Sequence, residues 1–350
     1  MPRTSKIIAE HIKDNIKPNG VNISPRCTRL LSARYKNIFN IKKIPKLSLL
    51  YKFCYDNKTL AKPSTFDGFF TPIKILVRYL FDRYDQYTTL DIYSYKGKIS
   101  HRINLKNTQY HSVYFNKFKE GYEPDVLSLI DLILPVNGVF YDIGSNWGMF
   151  SLYALCHVKN SRTVIAFDGQ ESVLEDLLTL KKAHPDFFAK LKIINSAISS
   201  AENKTTKFKS RDGFHTGLFQ KTDDSDGITI STTSLDSLCL EKPNLIKIDI
   251  EGMEIDAILG AKRIIAENKP YVILENPQKD RQSLMDVFSE FEYAMFSLFI
   301  ISSKNGICKM DLKDYNVSSF AKNILCIPRS RYIEFNELIG PLSSEIDFRL

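Results

Sequence analysis

The stretch Val139-Phe140-Tyr141-Asp142-Ile143-Gly144-Ser145-Asn146-Trp147-Gly148-Met149-Phe150-Ser151-Leu152 decides the fold. An apolar run closes on Asp142, breaks at the loop Gly144 to Gly148, and resumes with Phe150, Leu152, Tyr153 and Leu155 at helical spacing. That is the outline of a buried strand turning into a helix. The two glycines let the backbone approach a ligand closely, and the first N–H groups of the following helix carry a partial positive charge suited to a carboxylate or phosphate. Asp142, near the strand's end, can accept from an amine. A nicotinamide fingerprint needs a glycine in the middle of its loop so that the pyrophosphate can approach. Here that position holds Asn146, which tolerates a left-handed conformation but projects a side chain where phosphates would lie. A turn that only packs is the bland alternative.

Working outward, Thr163 to Phe167 reads as a second strand ending at Asp168, 24 residues beyond Gly144. A carboxylate at that tip can accept from both hydroxyls of a ribose, which supports a nucleoside without choosing one. A helix Ser172 to Ala183 and a third strand Leu191 to Ile194 follow, bringing Ser196 and Ala197 to where an adenine edge would be met. Thr205 to Lys209 has strand character, and the loop Arg211 to Gly217 presents His215 as a candidate general base that could close on an acceptor. From Leu245 to Glu251, Ile246, Ile248 and Ile250 alternate with Lys247, Asp249 and Glu251. A central parallel strand is normally apolar on both faces, so charges in register mark a polar crevice at its end. The alternative is a half-exposed edge strand. Pro270 to Leu274 gives a fifth strand closed by Glu275 and Asn276.

The Asp142 to Gly148 segment resembles motif I of the class I S-adenosylmethionine-dependent methyltransferases. Ser234-Leu235-Asp236-Ser237-Leu238, then Ile246-Lys247-Ile248-Asp249-Ile250-Glu251-Gly252-Met253-Glu254, then Leu259-Gly260-Ala261 narrow the likeness to the FkbM family, over roughly Tyr122 to Pro277. The resemblance implies an α/β, Rossmann-like domain with a seven-stranded, mostly parallel sheet and a terminal antiparallel hairpin. It also implies S-adenosylmethionine as cofactor and methyl transfer to an oxygen, frequently a sugar hydroxyl of a glycan or glycolipid. Within it, Gly144, Ser145, Asn146 and Gly148 underlie the cofactor's amino-acid end, with Asp142 and Glu123 near its amino group. Asp168 serves the ribose, although family members more often carry Glu-Pro where this chain has Asp168-Gly169. Asp249 is the first candidate for the catalytic group, with Lys247, Glu251 and His215 beside it. Asp249, Glu275 and Asn276 are similar to the magnesium site of catechol O-methyltransferase, and magnesium there would hold an acceptor oxygen. Two rivals stay open: a ribose methyltransferase acting on RNA, and a methyltransferase-like binding protein without turnover. A base-modifying enzyme would need an Asp- or Asn-Pro-Pro-aromatic turn where Ile250-Glu251-Gly252 stands, which argues against a nucleic-acid base as acceptor.

The chain has 350 residues, 43% hydrophobic and 25% charged, enough for one large domain and an appendage. Its net charge of +8 is uneven, since residues 1–100 hold 19 Lys and Arg against 7 Asp and Glu. The expected division is a basic, mainly helical extension over 1–90, a methyltransferase domain over 91–330 and a tail over 331–350. Helices are expected at Ile7 to His11, Leu30 to Tyr35, Leu47 to Cys54 and Phe69 to Phe81. In the last, Phe70, Ile73, Leu76, Val77 and Leu80 form an apolar side that either docks on the main domain or rests on an anionic membrane surface. No run reaches the roughly 20 apolar residues of a span, and the first residues do not read as a signal peptide, so a cytoplasmic protein, at most peripheral to a membrane, is expected. Six scattered cysteines without a Cys-x-x-Cys pair support neither a zinc site nor a disulfide framework.

Overall fold

Of the 350 residues, the computed structural model describes 38–56, 67–115, 118, 122–156, 161–200, 204–210, 219–222, 227–250, 252–277, 280–304, 307–316 and 321–339. The helices expected at Ile7 to His11 and Leu30 to Tyr35, and the candidates His215 and Glu251, lie outside the described residues. The chain opens with strand β1 (Phe39–Ile41), helices α1 (Lys46–Asp56) and α2 (Asp67–Arg83), and a hairpin of β2 (Tyr87–Ser94) and β3 (Gly97–Asn104). β1 pairs antiparallel with β2, Phe39 opposite Ile92, so the boundary expected at residue 90 runs through a strand of a three-stranded sheet. Leu90, Ile92 and Ile103 of that sheet join the main hydrophobic core.

α3 (His111–Tyr114) and α4 (Pro124–Ile133) lead to β4 (Val139–Ile143). The proline at the start of α4 fits a position whose N–H has no helical partner. Then come α5 (Met149–Cys156), β5 (Thr163–Asp168), α6 (Glu171–Ala183) and β6 (Leu191–Asn195). A four-stranded insertion follows, made of β7 (Ala197–Ile198), β8 (Lys204–Ser210), β9 (Phe219–Lys221) and β10 (Ile228–Thr233), in the order β7-β10-β8-β9. The chain returns through β11 (Leu245–Ile248), α7 (Glu254–Leu259), α8 (Lys262–Asn268), β12 (Tyr271–Glu275) and α9 (Arg281–Glu290). It closes with β13 (Tyr293–Lys304), β14 (Ile307–Asp314), β15 (Asn323–Pro328) and α10 (Tyr332–Ile339).

The main sheet runs β14-β13-β15-β12-β11-β4-β5-β6. β6, β5, β4, β11 and β12 are parallel, while β15 is antiparallel to both β12 and β13. This is the expected seven-stranded, mostly parallel sheet, extended at its edge by β14, an eighth strand the sequence reading passed over. Alternation sends Phe140 into one core layer and Tyr141 and Ile143 into the other. Chain order runs one way from β4 to β6 and the other way from β11 to β12. The crevice outside the tips of β4 and β11 is therefore a topological switch point, where ligands of open α/β sheets bind.

Two expectations about the flanks change. The segment expected as a tail over 331–350 contains α10, which lays Phe335, fully buried, against Tyr271. On α2 the docked stripe is Val77 and Phe81, which pack with Tyr51, Cys54 and Phe115, while Ile73 and Leu76 face outward. The helix is apolar on both sides, so periodicity alone does not select the face that docks. Among the described residues no helix is long and apolar enough to cross a membrane.

Candidate functional site

The β4-to-α5 loop holds three left-handed residues, Gly144 (φ 79°), Asn146 (φ 52°) and Gly148 (φ 86°). Such a path suits glycine and asparagine and few others. The Gly144 and Ser145 N–H groups donate to the Phe167 carbonyl, each at 2.9 Å, and the Asn146 N–H donates to Asp168 Oδ2 at 3.0 Å. Trp147 N–H donates to Asn146 Oδ1 at 2.7 Å and Gly148 N–H to the Ser145 carbonyl at 2.8 Å. Every N–H from Gly144 to Gly148 is thus used inside the protein, and a diphosphate laid on this loop would find none of them free. That counts against the nicotinamide alternative more directly than the missing middle glycine does.

Two cavities meet at this loop. The first, about 100 Å³, runs from Gly144 and Asp249 past Asp168 to Ser196, Ala197 and Ile198. Phe167 and Val173 form apolar wall on one side, and Phe208 of β8 and Ile230 of β10 add more from the insertion. A carboxylate at the edge of a slot with apolar walls and a few polar groups is what a ribose and a flat base require. Both oxygens of Asp168 are oriented by backbone, Oδ1 accepting from Gln170 N–H and Oδ2 from Asn146 N–H, each at 3.0 Å. Phe208, Ile230 and Gln170 in this lining went unnoticed in the sequence, and Met253 figured there only as part of the family signature.

Burial pushes the Asp168 carboxyl up to about 6 against the pull of its two backbone N–H donors. Ribose hydroxyls need the ionised form, so protons compete with the nucleoside below that pH. The affinity for S-adenosylhomocysteine is therefore expected to fall about fivefold between pH 6 and pH 5, measured by isothermal titration calorimetry. Asp168→Asn should bind more weakly at pH 7 and lose most of that pH dependence. A wild-type profile flat down to pH 5 counts against the ribose role. Glu123 and Asp142, also raised by burial, titrate nearby, and the Asn variant separates their effect from that of Asp168.

The second cavity, about 310 Å³ and more polar, shares Gly144, Asn146 and Asp249 with the first and extends over Phe150, Lys247, Glu275 and Lys322. Lys247 lies opposite Asp142 in the parallel register of β11 and β4, so both point to the same face. Its ammonium, 3% exposed, bonds Asp249 Oδ2 at 2.9 Å and lies 4.5 Å above the Phe150 ring. Burial would lower the Lys247 pKa, but the carboxylates of Asp249, Asp142 and Glu123 outweigh it and keep the lysine charged. Burial would likewise raise Asp249, yet Lys247 with Lys322 behind it holds that carboxyl below its ordinary range. Lys322, just ahead of β15, bridges Glu123 and Glu275, the latter at 3.8 Å. Nothing in the sequence pointed to Lys322, which is paired with Glu123 across the fold.

Three buried atoms here have no partner among the described residues: Asp142 Oδ1, Ser145 Oγ and Glu123 Oε2. Glu123 itself sits in a left-handed conformation (φ 44°) at the start of α4, an uncommon geometry for a residue with a side chain. Buried polar atoms left unpaired call for an explanation, and one of the three, Ser145, lines the second cavity. They suit the ammonium of an amino-acid moiety, and with Asp168 and the apolar slot they fit S-adenosylmethionine. Asp142 Oδ2 is held by Ser151 Oγ at 2.6 Å.

The magnesium site expected at Asp249, Glu275 and Asn276 does not fit. The Asn276 side-chain oxygen accepts from Tyr315 Oη at 2.8 Å and its amide donates to the Ala321 carbonyl at 2.8 Å, turning the group away from the crevice. Lys247 and Lys322 already balance Asp249 and Glu275. Among the described residues no cluster of three His, Cys, Asp or Glu side chains could hold a metal ion.

Residues 142–298 match the family model of the methyltransferase FkbM domain. The chain carries an FkbM methyltransferase domain. It is a domain of the S-adenosylmethionine-dependent class, and the match begins at Asp142 and ends within β13. Glu123 and Lys322 therefore stand outside it. Among solved structures the chain is similar to a methyltransferase FkbM from Methylobacillus flagellatus, at 18% identity and TM-score 0.35, over 51% of this chain and 44% of that one. The chain thus spans less than half the length of that protein. It is also similar to fibrillarin from Aeropyrum pernix in complex with S-adenosyl-L-methionine, at 8% identity and TM-score 0.34, over 65% of this chain and 93% of that one. A third likeness is to a SAM-dependent O-methyltransferase from Thermotoga maritima, at 11% identity and TM-score 0.35, over 68% of this chain and 77% of that one. No curated protein matches the chain.

Proposed function

We propose that the FkbM domain transfers the methyl group of S-adenosylmethionine to a hydroxyl of a sugar, in a glycan or glycolipid. The observation that carries this reading is the position of Asp249, which lines both the nucleoside slot and the polar cavity beside it. When bound, the cofactor supplies an electrophilic methyl on a sulfonium centre. Asp142, Ser145 and Glu123 would hold its amino-acid end, Asp168 its ribose, and Ser196 with Ala197 its base. The polar cavity offers Gln109, Ser112 and Lys322 as hydrogen-bonding groups and is also lined by Trp147 and Phe150, a mixture suited to a polyhydroxylated ring.

Little covalent work falls to the protein in such a displacement, so positioning dominates. Asp249, kept ionised by Lys247, accepts a hydrogen bond from the acceptor hydroxyl and orients its lone pair. It takes the proton as the new carbon–oxygen bond forms. A carboxylate held at low pKa is a weak base, which suits proton transfer late in the step rather than before it. No step is routed through a metal.

The test is labelled-methyl transfer from S-adenosylmethionine into separate glycan, glycolipid and RNA fractions. Label in a sugar-containing fraction, released as an O-methyl sugar on hydrolysis, is the expected result. Label confined to RNA, lost steeply with salt, points to a ribose methyltransferase instead. Absence of binding to both S-adenosylmethionine and S-adenosylhomocysteine in a thermal-shift measurement points to a domain without turnover.

A further inference from the structure

α1 and α2 form an antiparallel pair, since Tyr51 stacks on Phe81 at 4.2 Å between ring centres and Tyr55 Oη donates to the Lys74 carbonyl at 3.1 Å. Both helices direct their buried stripes, Tyr51 with Cys54 and Val77 with Phe81, onto Phe115 of the main body. Their opposite stripes hold Leu49 and Leu50 on α1 and Ile73, Ile75, Leu76 and Tyr79 on α2, between 45% and 63% exposed. No described residue covers them. Six large apolar side chains are thus left exposed on one helix pair, more apolar surface than a folded monomer commonly leaves bare without a use.

Charge says what covers it. Lys46 starts α1 and Arg83 ends α2, so the antiparallel arrangement brings both exposed cations to the same end, with Lys43 just ahead of α1 and Lys42 beside it paired with Asp91. In the sequence, residues 1–100 carry 19 Lys and Arg against 7 Asp and Glu. A second copy of the chain would set this basic segment against itself. An anionic lipid surface meets both features at once, because apolar side chains enter the boundary between headgroups and acyl chains while cations pair with the headgroups.

We propose that the outer face of the α1–α2 pair docks on an anionic phospholipid surface. The proposal stands apart from the methyl-transfer reading and adds one consequence to it. Tyr51 and Phe81 pack on His111, and the neighbouring Gln109 and Ser112 line the polar cavity, so the lipid-facing pair adjoins the wall of the cavity assigned to the acceptor.

The experiment is co-sedimentation of the full-length chain with vesicles of phosphatidylcholine containing about one-third phosphatidylglycerol, against vesicles of phosphatidylcholine alone. Binding to the anionic vesicles, at least about tenfold tighter than to neutral ones and weakened by added salt, is the expected result. Leu50→Glu/Leu76→Glu should lose that binding by about tenfold or more while keeping the wild-type circular dichroism spectrum. Ile73→Ser/Ile75→Ser, which removes apolar surface without adding charge, provides a second measure should the first variant fold poorly. Vesicle binding left unchanged in folded variants overturns the proposal. So does a wild-type chain that ignores anionic vesicles, whether it sediments as a monomer or as a dimer that these substitutions dissolve. Because no turnover is measured, failure here leaves the methyl-transfer reading untouched.

Discussion

Asp249→Asn should lower methyl transfer by about a hundredfold or more while S-adenosylhomocysteine binds within about threefold of wild type. The substitution keeps the shape and removes the negative charge at the junction of the two cavities. Lys247 would still face Asp142 and Glu123, so its charge remains compensated and the fold should survive. S-adenosylhomocysteine is the better binding probe because its sulfur is neutral and does not feel the lost carboxylate directly. The check is initial-rate kinetics on the acceptor found by labelled transfer, together with calorimetry for the cofactor product. Unchanged turnover would remove Asp249 from the mechanism. Joint loss of turnover and of binding would assign it a structural part in the loop instead.

The sequence exposed the residues whose positions follow from short-range geometry. Period-two alternation set Lys247 apart from its apolar neighbours and Asp142 was read near a strand's end; the two lie side by side in the register of β11 and β4, both buried. Asn146 was read as tolerant of a left-handed backbone, and its φ is 52°. What escaped depends on contacts between distant parts of the chain or on side-chain direction. Strand β11 stops at Ile248, so Asp249 lies beyond the ladder, where it can pair with Lys247. Asn276 was placed at the correct strand tip, but a strand tip does not reveal which way an amide turns, and Tyr315 and Ala321 hold it away. Glu123 and Lys322 meet only because β15 is inserted between β12 and β13, which no local pattern encodes. Phe208 and Ile230 reach the nucleoside slot from a separate small sheet whose strands look like ordinary polar hairpins in the sequence.

Gly144→Ala is expected to destabilise the protein by ~4 kcal/mol and to abolish cofactor binding. Two effects combine at this position. Its φ of 79° is a left-handed value that costs an alanine roughly 1–2 kcal/mol. A Cβ built there would also lie 1.9 Å from the Asp249 carbonyl oxygen, which belongs to backbone and cannot swing aside. Asp249 is fixed in turn by its N–H bond to the Ile143 carbonyl at 3.0 Å, so relief requires the tips of β4 and β11 to part. Those tips are the floor shared by both cavities. Gly252→Ala separates the two effects, since Gly252 has a φ of 96° but nothing within 4 Å of its would-be Cβ. It should cost only the backbone strain, about 1 kcal/mol, and leave binding measurable. Thermal melting with and without S-adenosylhomocysteine checks both, with a fall of about 10 °C expected for Gly144→Ala and a few degrees for Gly252→Ala. Equal losses in the two variants would mean that strain alone governs the loop, and that the close approach of β4 and β11 is not what shapes the site.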